Sequence, residues 1–251
     1  MRLMKRILSA AAVLALSASL LVGCSSGTAS SVPVSASSAA ESTVSSVEET
    51  ASSAVDENEA AAAQLLNDLT GSYQELWPVI LADEYKQTWL DDCTALVGED
   101  NAEAAFEKLS SMVTGDVYGE DAVKAYANGG GAYFCGFTNS LATLTFDGET
   151  STISGTDKDG NVLFSHTYHY IGMEPVRGLY EFESDDADSG EFTYFFLAPD
   201  TSAETYHIEF RYGSDAEALS QYDAGKYAYW LASGISTDCD QTMIDNCIEL
   251  F

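Results

Sequence analysis

Leu141-Ala142-Thr143-Leu144-Thr145-Phe146-Asp147-Gly148 is the stretch on which the fold turns. Its apolar period is two, so Leu144 and Phe146 share one face of a strand and Thr143 and Thr145 the other. Asp147-Gly148 is a hairpin signal, because Gly tolerates the backbone angles that a tight turn demands. Thr150 to Ser154 reads as the returning strand, and Asp157-Lys158-Asp159-Gly160 as the next turn. Further strands follow at 162–171, 178–183, 192–197 and 206–212, most of them separated by polar or Gly-containing breaks. Short strands at this spacing predict an antiparallel β-barrel or sandwich.

Upstream of Gly129-Gly130-Gly131 the period lengthens to three and four. Leu65, Leu66, Leu69, Tyr73, Leu76 and Trp77 form one helical stripe, preceded by Asp56 and Asn58 as N-cap candidates. Gly71 weakens this stripe, and Pro78 marks a kink or a new start. Tyr85, Trp89, Leu90, Cys93 and Leu96 make a second stripe, and Ala105, Phe106, Leu109 and Met112 a third. The tail, 240–251, is expected to be helical again. The expected architecture for 59–251 is one domain, mainly β, a barrel with flanking helices.

The first 58 residues have a different character. Arg2, Lys5 and Arg6 precede an apolar run from Ile7 to Val22, too short for a comfortable membrane span but suited to a secretory signal. The run ends Leu21-Val22-Gly23-Cys24, which resembles the lipobox of bacterial lipoproteins. That resemblance implies cleavage after residue 23, lipid attachment to Cys24, and a location on the extracytoplasmic face of the cell membrane. Residues 24–58 are rich in Ser and Ala and carry no aromatic residue, so they are expected to form a disordered tether.

Charge excludes one class of partner. Of ten Lys and Arg, three lie in residues 1–23, against none of the 40 acids. The remainder therefore holds seven cations against 40 acids, about −33, which disfavours nucleic-acid binding. Four cysteines follow Cys24, at 93, 135, 239 and 247. An even number in an exported chain points to two disulfides, with three possible connectivities. Cys239 and Cys247 sit about 12 Å apart along the axis if one helix holds both, so pairing them requires Cys239 to precede the helix.

A family resemblance runs through most of 65–251. Leu69-Thr70-Gly71-Ser72-Tyr73-Gln74, Ser165 to Gly172, Val176-Arg177-Gly178-Leu179-Tyr180-Glu181, Leu197-Ala198-Pro199, Tyr206-His207-Ile208-Glu209-Phe210 and Tyr227 to Ser236 occur in order. They resemble successive segments of the ZinT (YodA) family, lipocalin-like domains that bind zinc in the bacterial periplasm or at the cell surface. The resemblance implies a lipocalin/calycin-like barrel. It also implies three zinc-binding histidines, whose positions fall here on Phe195, Thr205 and His207, so only one is retained.

A remodelled site is the expectation that follows. Thr205, His207, Glu209 and Arg211 alternate onto one strand face. His207 and Glu209, with Glu204 or a neighbouring acid, are the candidate ligands, and zinc is the expected metal. Arg211 on the same face is expected to compete for Glu209. His166 and His169 are three apart and point to opposite faces of their strand. The acidic turns at Asp157–Asp159 and Asp185–Asp188 are possible calcium loops but read more simply as solvated tips. No nucleophile elbow, phosphate loop or HExxH motif is present in the sequence, so no enzymatic activity is expected. The reading is a lipid-anchored zinc-binding protein that scavenges metal or hands it to a transporter. The alternative is a ZinT-like barrel without metal that binds a small molecule or a protein.

Overall fold

Gly71 is where helix gives way to barrel. Structure is described, in a computed structural model, for residues 57–127, 129–198 and 207–251. A helix through 57–68 (α1) buries Ala62, Leu65 and Leu66, with Leu69 just beyond its end. The apolar spacing continues to Trp77, but the helix does not. Gly71 takes φ 145°, an angle that L side chains rarely adopt, and Gly71–Glu75 runs out as strand β1. Leu76–Ile80 then forms a short helix, α2, with Pro78 among the first residues, where an N–H has no helical partner to lose. The predicted single stripe from Leu65 to Trp77 is thus helix, strand and helix, because Tyr73 is drawn into the sheet opposite Leu144 and Ser236.

The remaining strands are β2 (Thr143–Asp147), β3 (Thr152–Thr156), β4 (Val162–Met173), β5 (Tyr180–Ser184), β6 (Tyr194–Leu197), β7 (His207–Gly213) and β8 (Ala232–Ser236). Each pairs antiparallel with the next, and β8 pairs with β1, so the sheet is a closed eight-stranded barrel. Closure leaves no edge to template aggregation. β4 is the corner strand. Its first half pairs with β3 and its second with β5, and the register shifts at Gly155/Thr156 and Tyr170/Gly172. Such irregularities let a strand bend between neighbours.

The barrel wall is apolar on its inner side and, over one sector, on its outer side too. Leu144, Phe146, Ile153, Phe164, Tyr168, Phe182, Phe195, Ile208, Phe210 and Tyr212 are all buried in one core. Outside, α2 packs on β8 and α7 (Gln241–Ile248) packs on α2. There Leu76, Ile80, Ile235, Ile244, Cys247 and Ile248 are buried. Asp240 caps α7 by accepting the Met243 amide at 2.9 Å.

Helices α3 (Lys86–Val97) and α4 (Glu99–Val113) form a hairpin about Gly98. Trp89 anchors it, 2.6 Å from the Ile80 carbonyl through its indole N–H and 6.0 Å from the Phe106 ring. The far end of the second predicted stripe stays exposed, with Leu96 58% accessible. The short helices α5 (Glu120–Ala125) and α6 (Ala216–Leu219) complete the set used below. Among the described residues no helix is long and apolar enough to cross a membrane.

The hairpin glycine has a second duty. A Cβ on Gly148 would lie 2.4 Å from Asn67 Cα and 2.6 Å from the Leu66 carbonyl oxygen, both backbone atoms of α1. The Gly148 amide also donates to Thr70 Oγ1 at 3.0 Å. Gly148→Ala is therefore expected to push α1 off the β2–β3 turn and cost about 2 kcal/mol, roughly 4–8 °C in Tm by thermal melt. An unchanged Tm would show that α1 is not seated there.

Candidate functional site

The site expected from the sequence is built on β7. Its residues alternate strictly: Ile208, Phe210 and Tyr212 are buried in the core, while His207, Glu209 and Arg211 take the other face. The inward parity of β6 is set by Phe195. Its ring lies 5.9 Å from Phe164 and 5.4 Å from Tyr168 on β4, and 6.3 Å from Phe210 and 5.3 Å from Tyr212 on β7. Phe195 is wholly buried.

His207 and Phe195 therefore stand on opposite sides of the barrel wall. A ligand set spanning both positions cannot converge on one ion, whatever residues occupy them. Interior groups do not fit zinc either: aromatic rings from β4, β6 and β7 fill the space, and zinc needs nitrogen, sulfur or carboxylate donors. Among the described residues, no three His, Cys, Asp or Glu side chains gather in a group that could hold a metal ion. Glu204, Thr205 and Cys24 lie outside the described residues.

The outer face of β7 is nonetheless chemically rich. His207 and Glu209 are half-buried and pair across to Ile235 and Ser233 of β8. Glu209 lies close enough to two thiols to influence both. Burial first, then the Glu209 carboxylate, pushes the Cys135 thiol up to about 12. Burial, then Cys239 and Glu209, does the same for Cys247, also to about 12. Both thiols are thus protonated at neutral pH and poor nucleophiles.

All four cysteines of the barrel domain are free, which corrects the expectation of two disulfides. Cys239 does precede α7, ahead of its cap Asp240. Cys93 and Cys135 sit apart in α3 and in the loop that runs beside β8, held by the Ser233 amide donating to the Cys135 carbonyl at 3.0 Å.

Arg211 does not behave as the competitor expected for Glu209. It is fully buried, and its guanidinium donates to the carbonyls of Leu219, Gln221 and Tyr227, at 3.3 Å for Gln221. These carbonyls close α6 and the loop after it. The guanidinium also lies 4.4 Å from the centre of the Tyr222 ring, and Arg177 lies 4.3 Å from the same ring. Tyr222 donates its hydroxyl to Glu174 at 3.3 Å, and Glu174 accepts the amides of Val176 and Arg177 at 2.7 Å each. Burial brings the Arg211 pKa down to about 10, so it remains charged at neutral pH. Nothing in the local sequence announces this node, because Glu174 and Arg177 lie far along the chain from Tyr222 and meet it only in the fold.

The remaining histidines are tied to the acidic turn after β5. His166 Nδ1 is 2.8 Å from Asp186 and His169 Nδ1 is 2.7 Å from Asp185, from opposite faces of β4 as expected. The Asp157 turn is self-satisfied. Asp157 accepts the Asp159 and Asn161 amides and the Asn161 side chain, each at 2.9 Å. These bonds, the Asn161 side chain above all, hold its carboxyl below the usual range.

No protein-family model matches this chain, and no curated protein matches it. Among solved structures, the Zn(II)-bound ZinT-like domain of Streptococcus pneumoniae AdcA is similar at 16% identity with a TM-score of 0.46, over 73% of this chain and 89% of that one. Zn(II)-bound AdcA from the same species is similar at 17% identity with a TM-score of 0.41, over 73% of this chain and 34% of that one. The chain thus spans about a third of the length of that second structure.

Proposed function

We propose that this chain is an extracytoplasmic, lipid-anchored binding protein whose ZinT-like barrel works without an interior metal and takes an organic or protein ligand instead. The observation that carries this reading is Phe195. Its ring occupies the barrel interior at the position that the family resemblance equates with a zinc histidine, and its neighbours are aromatic on every strand they come from. The signal-like segment ending at Cys24 supports the anchor, and the excess of 40 acids over ten Lys and Arg supports a soluble, extended surface. No chemistry is assigned to the protein beyond binding.

A second reading is zinc capture on the outer wall, for scavenging or delivery to a transporter. The observation that favours it is that His207 and Glu209 share one outward face of β7, both half-buried. Imidazole and carboxylate both ligate zinc, and Glu204 is the third ligand in this reading.

Calorimetric titration of zinc into the metal-free full-length chain separates the two. The expected result is the same weak, non-saturating heat for the wild type and for His207→Ala. A one-to-one isotherm at micromolar or tighter Kd, lost in His207→Ala, would overturn the metal-free reading in favour of zinc.

A further inference from the structure

A groove of about 310 Å³ opens at the end of β1, where the strand turns into α2. That volume is at the small end of the range for small-molecule sites, ~300–1,000 Å³. Its lining is largely apolar: Trp77, Pro78, Leu81, Val113 and Phe134. Two of its positions are bare backbone for a steric reason. A Cβ on Gly115 would lie 2.9 Å from the Tyr133 carbonyl, and one on Gly136 would lie 2.9 Å from Glu75 Oε1 and 3.0 Å from the Phe134 ring. A larger residue would collide with the Tyr133 backbone at position 115 and with Glu75 and Phe134 of the groove at position 136.

One charge faces this apolar space. Glu75 ends β1, and its Oε1 accepts the Phe137 amide at 2.6 Å, which fixes the carboxylate in place. Among the described residues its other oxygen, Oε2, takes no hydrogen bond and no cation. A positioned half-satisfied carboxylate beside aromatic faces is the complement of an organic ammonium group: the N–H donors meet Oε2, and the positive charge meets the ring faces. A bare metal ion gains nothing from the apolar walls, and an anion is repelled by Glu75. The net charge of −30 further concentrates cations around the protein.

We propose that this groove is a binding site for a small organic cation, a primary ammonium carried on an aromatic or branched apolar body, with Glu75 as its counter-ion. This rests on the reading of the chain as a binding protein and names the ligand class it takes. The thiol of Cys135 lines the same groove but is buried and protonated, and so serves as wall rather than nucleophile.

The test titrates the full-length chain with phenethylammonium and, separately, with neutral 2-phenylethanol. Amide shifts of Gly115, Cys135 and Gly136 and the Trp77 indole signal are followed by NMR. The expected result is saturating shifts at these positions, with the cation bound at least about fivefold more tightly than the alcohol. Glu75→Gln, whose carbonyl still accepts the Phe137 amide, is expected to abolish that preference while leaving the alcohol's affinity unchanged. Equal affinity for the two probes in the wild type, or a preference that survives Glu75→Gln, would overturn the cation assignment while the reading as a binding protein stands. Shifts that map elsewhere, or none, would remove the site altogether.

Discussion

Phe195→Ala is expected to lower stability by about 3–5 kcal/mol, roughly 10 °C or more in Tm. The ring is wholly buried and packs on Phe164, Tyr168, Phe210 and Tyr212, so truncation leaves a cavity bounded by rigid aromatic rings that cannot collapse into it. Against a typical total of ~5–15 kcal/mol this is a large fraction. Phe195→His is the more informative partner. It restores the residue type that the family resemblance places there, yet it sets a polar ring among apolar ones, a penalty of about 1–3 kcal/mol above the lost packing. Because His207 lies across the wall, zinc is expected to leave the Tm of Phe195→His unchanged. Ligand at a hundred times its Kd stabilises a fold by about 2.7 kcal/mol, so a rise of several degrees with zinc would be plain. Such a rise, lost again in Phe195→His combined with His207→Ala, would show that the two side chains share one cavity and that the assignment of faces on β7 is wrong.

Arg211→Ala is expected to cost a further class of energy, about 4 kcal/mol by denaturant unfolding. It removes the donor to the carbonyls of Leu219, Gln221 and Tyr227, and each carbonyl left buried and unpaired costs about 1–3 kcal/mol. It also takes one guanidinium from the Tyr222 ring, which still bonds Glu174. Arg211→Lys is expected to recover part of the loss, since one ammonium cannot reach three carbonyls in a fork. The loss is local in origin, so amide exchange in 219–229 is expected to accelerate before that of the β2–β3 hairpin. Arg211→Met within ~1 kcal/mol of wild type would show that the buried charge adds no net stability and that packing alone holds the segment, an outcome known for other buried ions.

The two variants draw on opposite parts of the chain's legibility. The hairpin about Asp147-Gly148 was readable because its information is local: alternation at 143–146 and one glycine suffice. Strands β4 to β7 were readable for the same reason, with boundaries within a few residues of those observed. The sequence of β1 reads as helix because Tyr73, Leu76 and Trp77 continue a helical spacing, and only the φ of Gly71 and pairing to β2 and β8 break it. β8 carries no strand signal in its sequence. Ala232-Ser233-Gly234-Ile235-Ser236 has no two-residue apolar period, because Ala232 and Gly234 fill the crowded interior beside Ile208 while Ile235 packs outward under the helices.

By itself, then, the sequence determined the class of the domain, the order of most strands, and the grouping of His207, Glu209 and Arg211 on one face of β7. Periodicity carries all of these, since side-chain direction alternates along a strand wherever the strand lies. Only the tertiary structure decided which side of the wall that face occupies, that Arg211 serves three carbonyls rather than Glu209, and that Glu75, Trp77 and Phe134 line one groove. Each of these depends on closing β1 onto β8 and laying helices over the seam. A closed barrel turns one face of every strand toward an interior filled by apolar side chains, and it is that burial, not any local signal, that places Phe195 inside and His207 out.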